Sequence, residues 1–377
     1  MKSFLGNHWC HTYRGGEKVL EQLRILFPKA PLYTLFFRRG QIPDSVLGVD
    51  VRFSLLNWIP GIERHYRELL IFYPFALRLM KSDLRGGLFI CSDASMFKSV
   101  NLRNCFHICY CHSPPRYVWE DGLGYLEKSG LRETVKRWVL RKARPMLQNC
   151  DRRGADRVNV FVANSRFVAE RIMRFYGRDS EIVYPPVAIQ RFEPKQSVGD
   201  YYLVVSQLVP YKRVDLAIEA CNRSRKRLVV VGGGTEFERL CALAGPTVEL
   251  RGRCSDEEVT LLLQGCRAFI YPQVEDFGIT AVEAQACGRP VLALRKGGAC
   301  ETVVAGKTGV FFDQQTVESV CSAITSFEAS MLDKNGQLLR PVVSACRENS
   351  LRFSEERFRD EMASLIRRHY PAAFESV

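Results

Sequence analysis

Two acidic residues, Glu275 and Glu283, stand on either side of the tripeptide Phe-Gly-Ile at 277–279. The segment around them, 273–290, has the pattern of a loop that enters a helix, with Glu283 in the first helical turn. A loop glycine lets backbone amides turn towards a ligand, and a helix N-terminus carries partial positive charge, so phosphate fits here. Carboxylates accept hydrogen bonds from vicinal hydroxyls. The arrangement predicts a ligand with a polyol on each side of a diphosphate; the alternative is a dipole-stabilising acid beside a surface acid.

Two cationic residues, Lys212 and Arg213, have the charge to neutralise such a diphosphate. They end the loop QLVPYKR, which follows an apolar strand pattern that starts at Tyr201. In open parallel sheets, ligands bind beyond the carboxyl ends of the strands, so we expect this loop and that of Glu275 at the same edge. The alternative is a solvated surface pair.

Three further candidate residues lie in the first half of the chain. Gly15 and Gly16, in YRGGEK, stand where a first strand would pass into its helix, and their amides could approach a phosphate. His112 ends the strand pattern of FHICYCHSPP and is the candidate for contact with a reacting sugar. A histidine that is simply satisfied within a turn is the alternative.

The elements that must position these residues follow an α/β pattern. From Tyr201 onwards, short apolar strands alternate with amphipathic helices, which predicts a parallel sheet covered on both faces. The first half is less regular, with strands predicted at 30–36, 88–92, 106–111 and 158–163. A stretch rich in Pro and polar residues predicts a linker near Val187. The sequence therefore predicts an N-terminal domain over 1–187, joined by the last helix at 358–377, and a C-terminal domain over 188–357.

Composition limits the classes of protein. The chain has 377 residues, of which 46% are hydrophobic and 25% charged, and it has no apolar run long enough for a membrane span. Its first residues are too polar for a secretory signal, which predicts a cytoplasmic protein. Residues 1–190 hold 30 Lys and Arg against 17 Asp and Glu, whereas 191–377 hold 24 of each. The basic half indicates attraction to phosphates, of lipid headgroups or nucleic acid, but no nucleic-acid-binding module is recognisable. The alternative is a solubilising surface with no partner.

The 14 cysteines are interpreted as free thiols in a reducing compartment. Six of them lie singly in apolar runs and are expected to be buried: Cys91, Cys221, Cys241, Cys266, Cys287 and Cys321. A metal site formed by Cys105, Cys109, Cys111 and His112 is the alternative. It is disfavoured because strand alternation would put Cys109 and Cys111 on one face, with no second pair of ligands at zinc-type spacing.

Six separated segments resemble the retaining glycosyltransferases of family 4, the group 1 transferases. In chain order they are YRGGEKVL, ICYCHSPPRYVW, VANSRFVAERI, YPPV, LVPYKRVDLAIEA and EDFGITAVEAQACGRPVLALRKGGACETVVAGKTGVFF. The last contains a Glu-x7-Glu element and a Gly-Gly-x-x-Glu turn. The similarity runs almost the whole length of the chain. The chain especially resembles the mannosyltransferases of bacterial O-antigen and exopolysaccharide assembly. It implies the GT-B fold, two Rossmann-like domains that face each other across a cleft.

The resemblance implies a donor-binding role for the Glu-x7-Glu element. Glu275 would hydrogen-bond the donor sugar, and Glu283 would accept hydrogen bonds from the ribose hydroxyls. The amides of Phe277, Gly278 and Ile279 would hold the diphosphate between them.

The same resemblance implies roles for residues outside that element. Lys212 would neutralise the β-phosphate as it leaves, Gly16 would offer its amide to the same group, and His112 would contact the transferred sugar. Arg253 and Cys254 fall where family members hold the nucleotide base.

Two positions depart from the family pattern. Gln207 stands where relatives commonly carry an Arg that grips the diphosphate, and Ala94 stands where they tend to carry a His. Loss of one charge-assisted hydrogen bond costs about 1.5–3 kcal/mol. We therefore expect either compensation by Arg213 or slow turnover.

The function implied is retaining transfer of a hexose, mannose from GDP-mannose, to a lipid-linked oligosaccharide in cell-surface polysaccharide synthesis. The partners would be the nucleotide sugar, the lipid-linked acceptor and an anionic inner-membrane surface contacted by the basic N-terminal domain. No cofactor is expected. No metal ion is expected either, because the sequence has no Asp-x-Asp pair in a matching context. The alternatives are a UDP-sugar donor, a sugar-nucleotide epimerase or phosphorylase, and a nucleotide-sugar-binding protein with little activity.

Overall fold

The computed structural model describes residues 2–66, 68–80, 84–120 and 131–374, with side chains for all of these except 131–137. The chain divides into two compact units. The first comprises Met1–Pro186 and Glu356–Val377, and the second comprises Val187–Glu355.

The first unit is built on a parallel sheet. Over the described residues its strands are β1 (Ser3–Asn7), β2 (Leu32–Thr34), β3 (Val51–Phe53), β4 (Arg85–Asp93), β5 (Arg103–Cys111), β6 (Val160–Ala163) and β7 (Glu181–Ile182), in the order β3-β2-β1-β4-β5-β6-β7. The helices are α1 (Gly15–Leu26), α2 (Asp44–Leu47), α3 (Ile62–His65), α4 (Tyr73–Leu79), α5 (Arg116–Trp119), α6 (Leu131–Asp156) and α7 (Arg166–Tyr176). Both faces of the sheet are covered by apolar clusters.

Successive side chains of a strand point to opposite faces of the sheet, so β5 contributes residues to both clusters. Cys109 and Cys111 point into one cluster, together with Phe89 and Cys91 of β4. Ile108 and Tyr110 point into the other. The expectation that the two cysteines share a face is confirmed.

The second unit repeats the same design. Over the described residues its strands are β8 (Tyr201–Val205), β9 (Arg227–Val231), β10 (Val248–Gly252), β11 (Phe269–Tyr271), β12 (Val291–Leu294) and β13 (Gly309–Phe312), all parallel, in the order β10-β9-β8-β11-β12-β13. The helices are α8 (Val214–Ser224), α9 (Phe237–Leu243), α10 (Asp256–Gly265), α11 (Ile279–Ala286), α12 (Ala299–Thr302), α13 (Val317–Met331) and α14 (Arg340–Leu351). The chain reverses its direction of winding between β8 and β11, which makes this edge the topological switch point.

The last helix, α15 (Glu355–His369), packs on the sheet of the first unit. Its apolar stripe recurs at helical spacing, with Phe358, Met362, Leu365 and Ile366 buried in the same cluster as Leu5. Two Rossmann-like units were predicted, and this part of the fold class is confirmed.

Sequence reasoning missed three edge strands, β3, β7 and β13, because two to four residues are too few to show a period of two. All 14 cysteines are free, as expected. The expectation of burial is wrong for Cys241, which is exposed, and Cys321 is only half-buried, because each lies at the margin of its helix's apolar stripe. Among the described residues, no helix combines the length and the apolar character that a membrane span requires.

Candidate functional site

Two oppositely charged candidates meet at the switch point of the second unit. The loop after β8 carries Lys212, and the loop after β11 carries Glu275. The Lys212 Nζ donates to Glu275 Oε1 across 63 positions of sequence, and the two side chains are only 14% and 22% exposed. The strand order brings the two loops together, because β8 and β11 are neighbours in the sheet. The predicted edge is therefore where these residues lie.

The loop that carries Lys212 rests on a glycine turn after β9. The backbone N–H of Leu208 donates to the carbonyl of Gly233 at 3.1 Å. A Cβ at Gly232 would lie 1.8 Å from the Ser206 carbonyl oxygen, and one at Gly234 would lie 2.0 Å from that of Leu208. Only glycine permits this approach. Sequence reasoning gave the triplet no function, although three consecutive glycines at a strand end were a visible signal.

A second glycine turn holds the loop that carries Glu275. The N–H of Gly298 donates to the carbonyl of Glu275 at 2.9 Å, and Gly297 has a φ of +71°, in the left-handed region. The Phe277 ring is buried and meets Phe353 edge-on at 5.3 Å between ring centroids. Phe277 therefore anchors the loop with its side chain and has only its backbone to offer a ligand.

Gly278 is the N-cap of α11 and has a φ of +97°. A Cβ there would lie 2.7 Å from the Tyr271 hydroxyl, so glycine is required by both backbone and space. The helix starts at Ile279, and the first amides of a helix have no acceptor within it. Glu283 was predicted in the first turn, which is wrong: it is the fifth helical residue, because the helix starts one residue after the glycine.

Arg213 and Gln207 also lie in the loop after β8. Arg213 has a φ of +51°, and its Nε donates to Asp215 at 3.2 Å, so its charge already has an acidic partner. Gln207 is exposed. The guanidinium that was expected to compensate for the missing arginine is thus bound to Asp215, in the first turn of α8.

Arg253 and Cys254 follow β10, the strand beside β9. A Cβ on Gly233 would lie 3.2 Å from Arg253 Nε, so the arginine side chain extends over the glycine turn. Cys254 is half-buried next to it. Their place at the carboxyl end of β10, two strands from β8 in the sheet, is compatible with a ligand that extends from the Lys212–Glu275 pair.

His112, Ser92 and Gly16 form a cluster in the first unit, at the carboxyl edge of its sheet. His112 follows β5 and its Nε2 is 2.8 Å from the hydroxyl of Ser92 in the neighbouring β4. The same hydroxyl is 3.4 Å from the carbonyl of Gly16, and a Cβ on Gly16 would lie 3.7 Å from the His112 ring. Gly15 starts α1, directly before Gly16. Ser92 was not among the predicted residues, because a lone serine at a strand end carries no signal.

The imidazole of His112 is neutral at ordinary pH. Burial, helped by the nearby His8, lowers the pKa of His112 to about 3. The ring can therefore donate and accept hydrogen bonds but does not serve as a positive charge near pH 7. At Ala94, the other departure from the family pattern, the backbone N–H faces His8 Nδ1 at 3.4 Å.

Glu17 is a buried carboxyl beside this cluster, and burial raises its pKa to about 7 from an ordinary value of 4.5. The folded state holds this proton more tightly than the unfolded state, so the carboxyl favours folding at low pH. That contribution is lost as pH rises from about 4.5 to about 7, and a pKa change of this size corresponds to about 3 kcal/mol.

We therefore expect Glu17→Gln to raise the free energy of unfolding at pH 8 and to weaken its fall between pH 5 and pH 8. The amide oxygen can still accept from the Arg14 N–H, as the carboxylate does at 3.0 Å. Urea denaturation of both proteins across this range is the measurement. Parallel curves for the two proteins would contradict the prediction.

Within the described ranges, no group of three or more His, Cys, Asp or Glu side chains is arranged to hold a metal ion. Cys109 and Cys111 are buried in the sheet's core. Cys105 donates weakly to the Gly86 carbonyl at 3.7 Å, and His112 is bonded to Ser92. These four side chains are thus engaged separately.

Residues 188–337 match a family described as glycosyl transferases group 1. A mannosyltransferase of Mycolicibacterium smegmatis, which is GDP-mannose-dependent and acts on phosphatidylinositol monomannoside, is 32% identical over 213 residues, 48% of this chain and 56% of that protein. The O-antigen chain mannosyltransferase C of Escherichia coli is 30% identical over 174 residues, 44% of each chain. The chain spans about half the length of the curated relatives it matches.

Solved structures resemble the chain over almost its whole length. Anabaena HepE in complex with UDP-glucose has a TM-score of 0.67 and 16% identity, with 97% of this chain and 99% of that chain covered. Sucrose-phosphate synthase from Thermosynechococcus elongatus has a TM-score of 0.69 and 18% identity, with 99% and 100% covered. At these identities the likeness shows the fold alone. The two Rossmann-like units are those of the GT-B class, as the sequence predicted.

Proposed function

We propose that this chain is a retaining glycosyltransferase of family 4, which transfers mannose from GDP-mannose to a lipid-linked oligosaccharide in cell-surface polysaccharide synthesis. One observation carries the proposal: the group 1 match covers 188–337, and the Lys212–Glu275 pair lies within it at the switch point of a doubly wound sheet. Two of the relatives are mannosyltransferases, which supports mannose as the sugar.

In this proposal, catalysis is stabilisation of the leaving diphosphate. As the glycosidic bond lengthens, negative charge grows on the leaving oxygen and positive charge on the sugar. Lys212 and the N-terminal amides of α11 stabilise the negative charge, because the backbone that carries them is held in place before the donor arrives. The ion pair must then exchange partners: Lys212 turns to phosphate, and Glu275 accepts hydrogen bonds from hydroxyls of the sugar.

The remaining candidates keep the roles that the resemblance implies. Glu283 accepts from the ribose, and Arg253 and Cys254 lie against the base. For the first unit, the resemblance implies that the Gly16 amide would contact a diphosphate and that His112 would contact a sugar; Ser92 orients the neutral His112 ring. No cofactor or metal ion takes part, since Lys212 supplies the positive charge.

We place the acceptor and the membrane contact with the first unit. Residues 1–190 carry the whole excess of basic charge, 30 against 17, which favours phosphate groups of a lipid-linked acceptor and of an anionic leaflet. The protein would then act in the cytoplasm, at the inner face of the membrane.

A ligand panel tests the proposal directly. We expect GDP-mannose to raise the melting temperature by about 5 °C at a hundredfold excess over its dissociation constant, because a ligand of the folded state stabilises by mass action. UDP-glucose and dTDP-glucose should give no shift. A shift with UDP-glucose alone would replace the donor, and no shift with any nucleotide sugar would refute the transferase. Transfer to a lipid-linked acceptor, with the product anomer read by NMR, completes the test.

A further inference from the structure

Large apolar side chains are exposed on one part of the first unit. Helix α4 is apolar on two faces: Tyr73, Ala76 and Leu77 are buried in the core, whereas Phe75 and Leu79 point outwards, 62% and 44% exposed. A helix that is apolar all round normally has a partner on each side. The outer face of α4 therefore lacks a cover within the described chain.

The helical turn just before α4 extends this apolar face. Phe72 ends the turn Leu70–Phe72 and is 50% exposed, and Trp58 ends the turn Leu55–Trp58 and is 73% exposed. Helix α4 contacts both turns. Aromatic side chains are thus gathered on neighbouring elements rather than scattered singly, which marks an interaction surface.

Helix α6 contributes a second, basic part, since it contacts the turn that carries Phe72. Its exposed residues recur at helical spacing and include Trp138, Arg141, Lys142 and Met146. Trp138 is 62% exposed and Met146 is 52% exposed, with the two cations between them. Apolar side chains mixed with Lys and Arg on one helical face are typical of a helix that lies on a membrane.

The exposed charge on the described part of these elements is mainly positive. Across 55–79 and 138–156, the exposed cations are Arg64, Arg78, Arg141, Lys142, Arg152 and Arg153, whereas the exposed acids are Glu68 and Asp156. The core of a protein–protein interface is depleted in charged residues, so this mixture fits lipid headgroups better than another protein. Trp is enriched at the boundary between water and bilayer.

We propose that this surface, the outer patch formed by Trp58, Phe72, Phe75, Leu79, Trp138 and Met146, docks on an anionic phospholipid bilayer. The aromatic rings enter the headgroup region, and Arg141 and Lys142 contact lipid phosphates. Apolar insertion is thereby added to the general attraction of a basic domain. The inference deepens the proposed function, and its biological purpose rests on the lipid-linked acceptor.

Co-sedimentation with vesicles tests the docking. The wild-type chain should bind vesicles of phosphatidylcholine that contain phosphatidylglycerol, and bind pure phosphatidylcholine much less. The double variant Phe72→Ser/Phe75→Ser should lose at least tenfold in partition coefficient, and Arg141→Gln/Lys142→Gln should lose binding to the anionic vesicles selectively. Leu261→Ser is the matched control, because Leu261 is 61% exposed on α10 of the second unit; it should bind as the wild type does. Brominated lipid should quench tryptophan fluorescence, and Trp58→Tyr should reduce that quenching.

Two results would overturn the inference. One is a wild-type chain that ignores anionic vesicles, or a Phe72→Ser/Phe75→Ser variant that still binds them like Leu261→Ser. The other is an oligomer that this double variant splits without lipid binding, which would make the patch a protein interface. Melting curves with GDP-mannose, run on the same variants, separate the two proposals: donor binding without vesicle binding refutes only the docking.

Discussion

Lys212→Met should reduce sugar transfer by about 10²–10³-fold, the usual effect of removing one preorganised group that stabilises the charge of a leaving or attacking oxygen. Its ammonium is the cation paired with Glu275 at the switch point, and both are largely buried. The fold should remain intact, because the loop is held by the backbone bond between Leu208 and Gly233. Initial rates at saturating donor, with circular dichroism as a check on folding, are the measurement.

Lys226→Met is the matched control for this variant. Lys226 also pairs with a glutamate of the second unit, Glu328, at 2.7 Å, but this pair joins the turn between α8 and β9 to α13, away from the switch point. Its transfer rate should stay near that of the wild type. Equal losses in both variants would mean that Lys212 acts through stability alone.

The partner variant Glu275→Gln should separate the two halves of the ion pair. Transfer falls, because the neutral amide oxygen is a weaker acceptor for the sugar hydroxyls than the carboxylate. Affinity for GDP rises by about tenfold, since Lys212 no longer has a competing carboxylate and the diphosphate no longer faces a like charge. Affinity for GDP-mannose should not rise. Calorimetric titration measures the affinity for both ligands. Weaker GDP binding would contradict the prediction, because it would mean that Lys212 can bind the Glu275 carboxylate and the phosphate at the same time.

Lys98→Met should destabilise the first unit by about 3–5 kcal/mol, because it leaves two buried carboxylates without their cation. Lys98 is 1% exposed and pairs with Asp151 and Asp93, which are 0% and 2% exposed. Burial lowers the pKa of Lys98, but Asp151 and Asp93 outweigh it and raise that pKa well above its usual value. Asp151 also accepts from Trp119 and Tyr176, each at 2.7 Å.

Urea denaturation measures this effect, and two further variants serve as controls. Lys29→Met, at an exposed position of the same unit, should change the free energy of unfolding by less than about 0.5 kcal/mol. The double variant Lys98→Met/Asp151→Asn should be more stable than Lys98→Met, because the buried charge of Asp151 is then removed together with its cation. A loss of under about 1 kcal/mol in Lys98→Met would show that water or local rearrangement satisfies the carboxylates.

The sequence by itself determined the local elements of this protein. Short apolar runs, alternating with helices that have an apolar stripe, were enough to predict parallel sheets covered on both faces. Gly278 could be assigned to a turn because only glycine adopts its backbone angles without strain. The candidate residues Lys212 and Glu275 were found because polar residues after strands stand out against apolar runs.

Only the tertiary structure decided which of these residues meet. The order β10-β9-β8-β11-β12-β13 makes β8 and β11 neighbours, and so pairs two side chains that are 63 positions apart. The same holds for Ser92 with His112 and for the glycine triplet 232–234 under the loop of Lys212. Periodicity reports which face of an element is buried, but it carries no information on which strand lies beside it. Contacts between strands therefore had to come from the packing of the whole sheet.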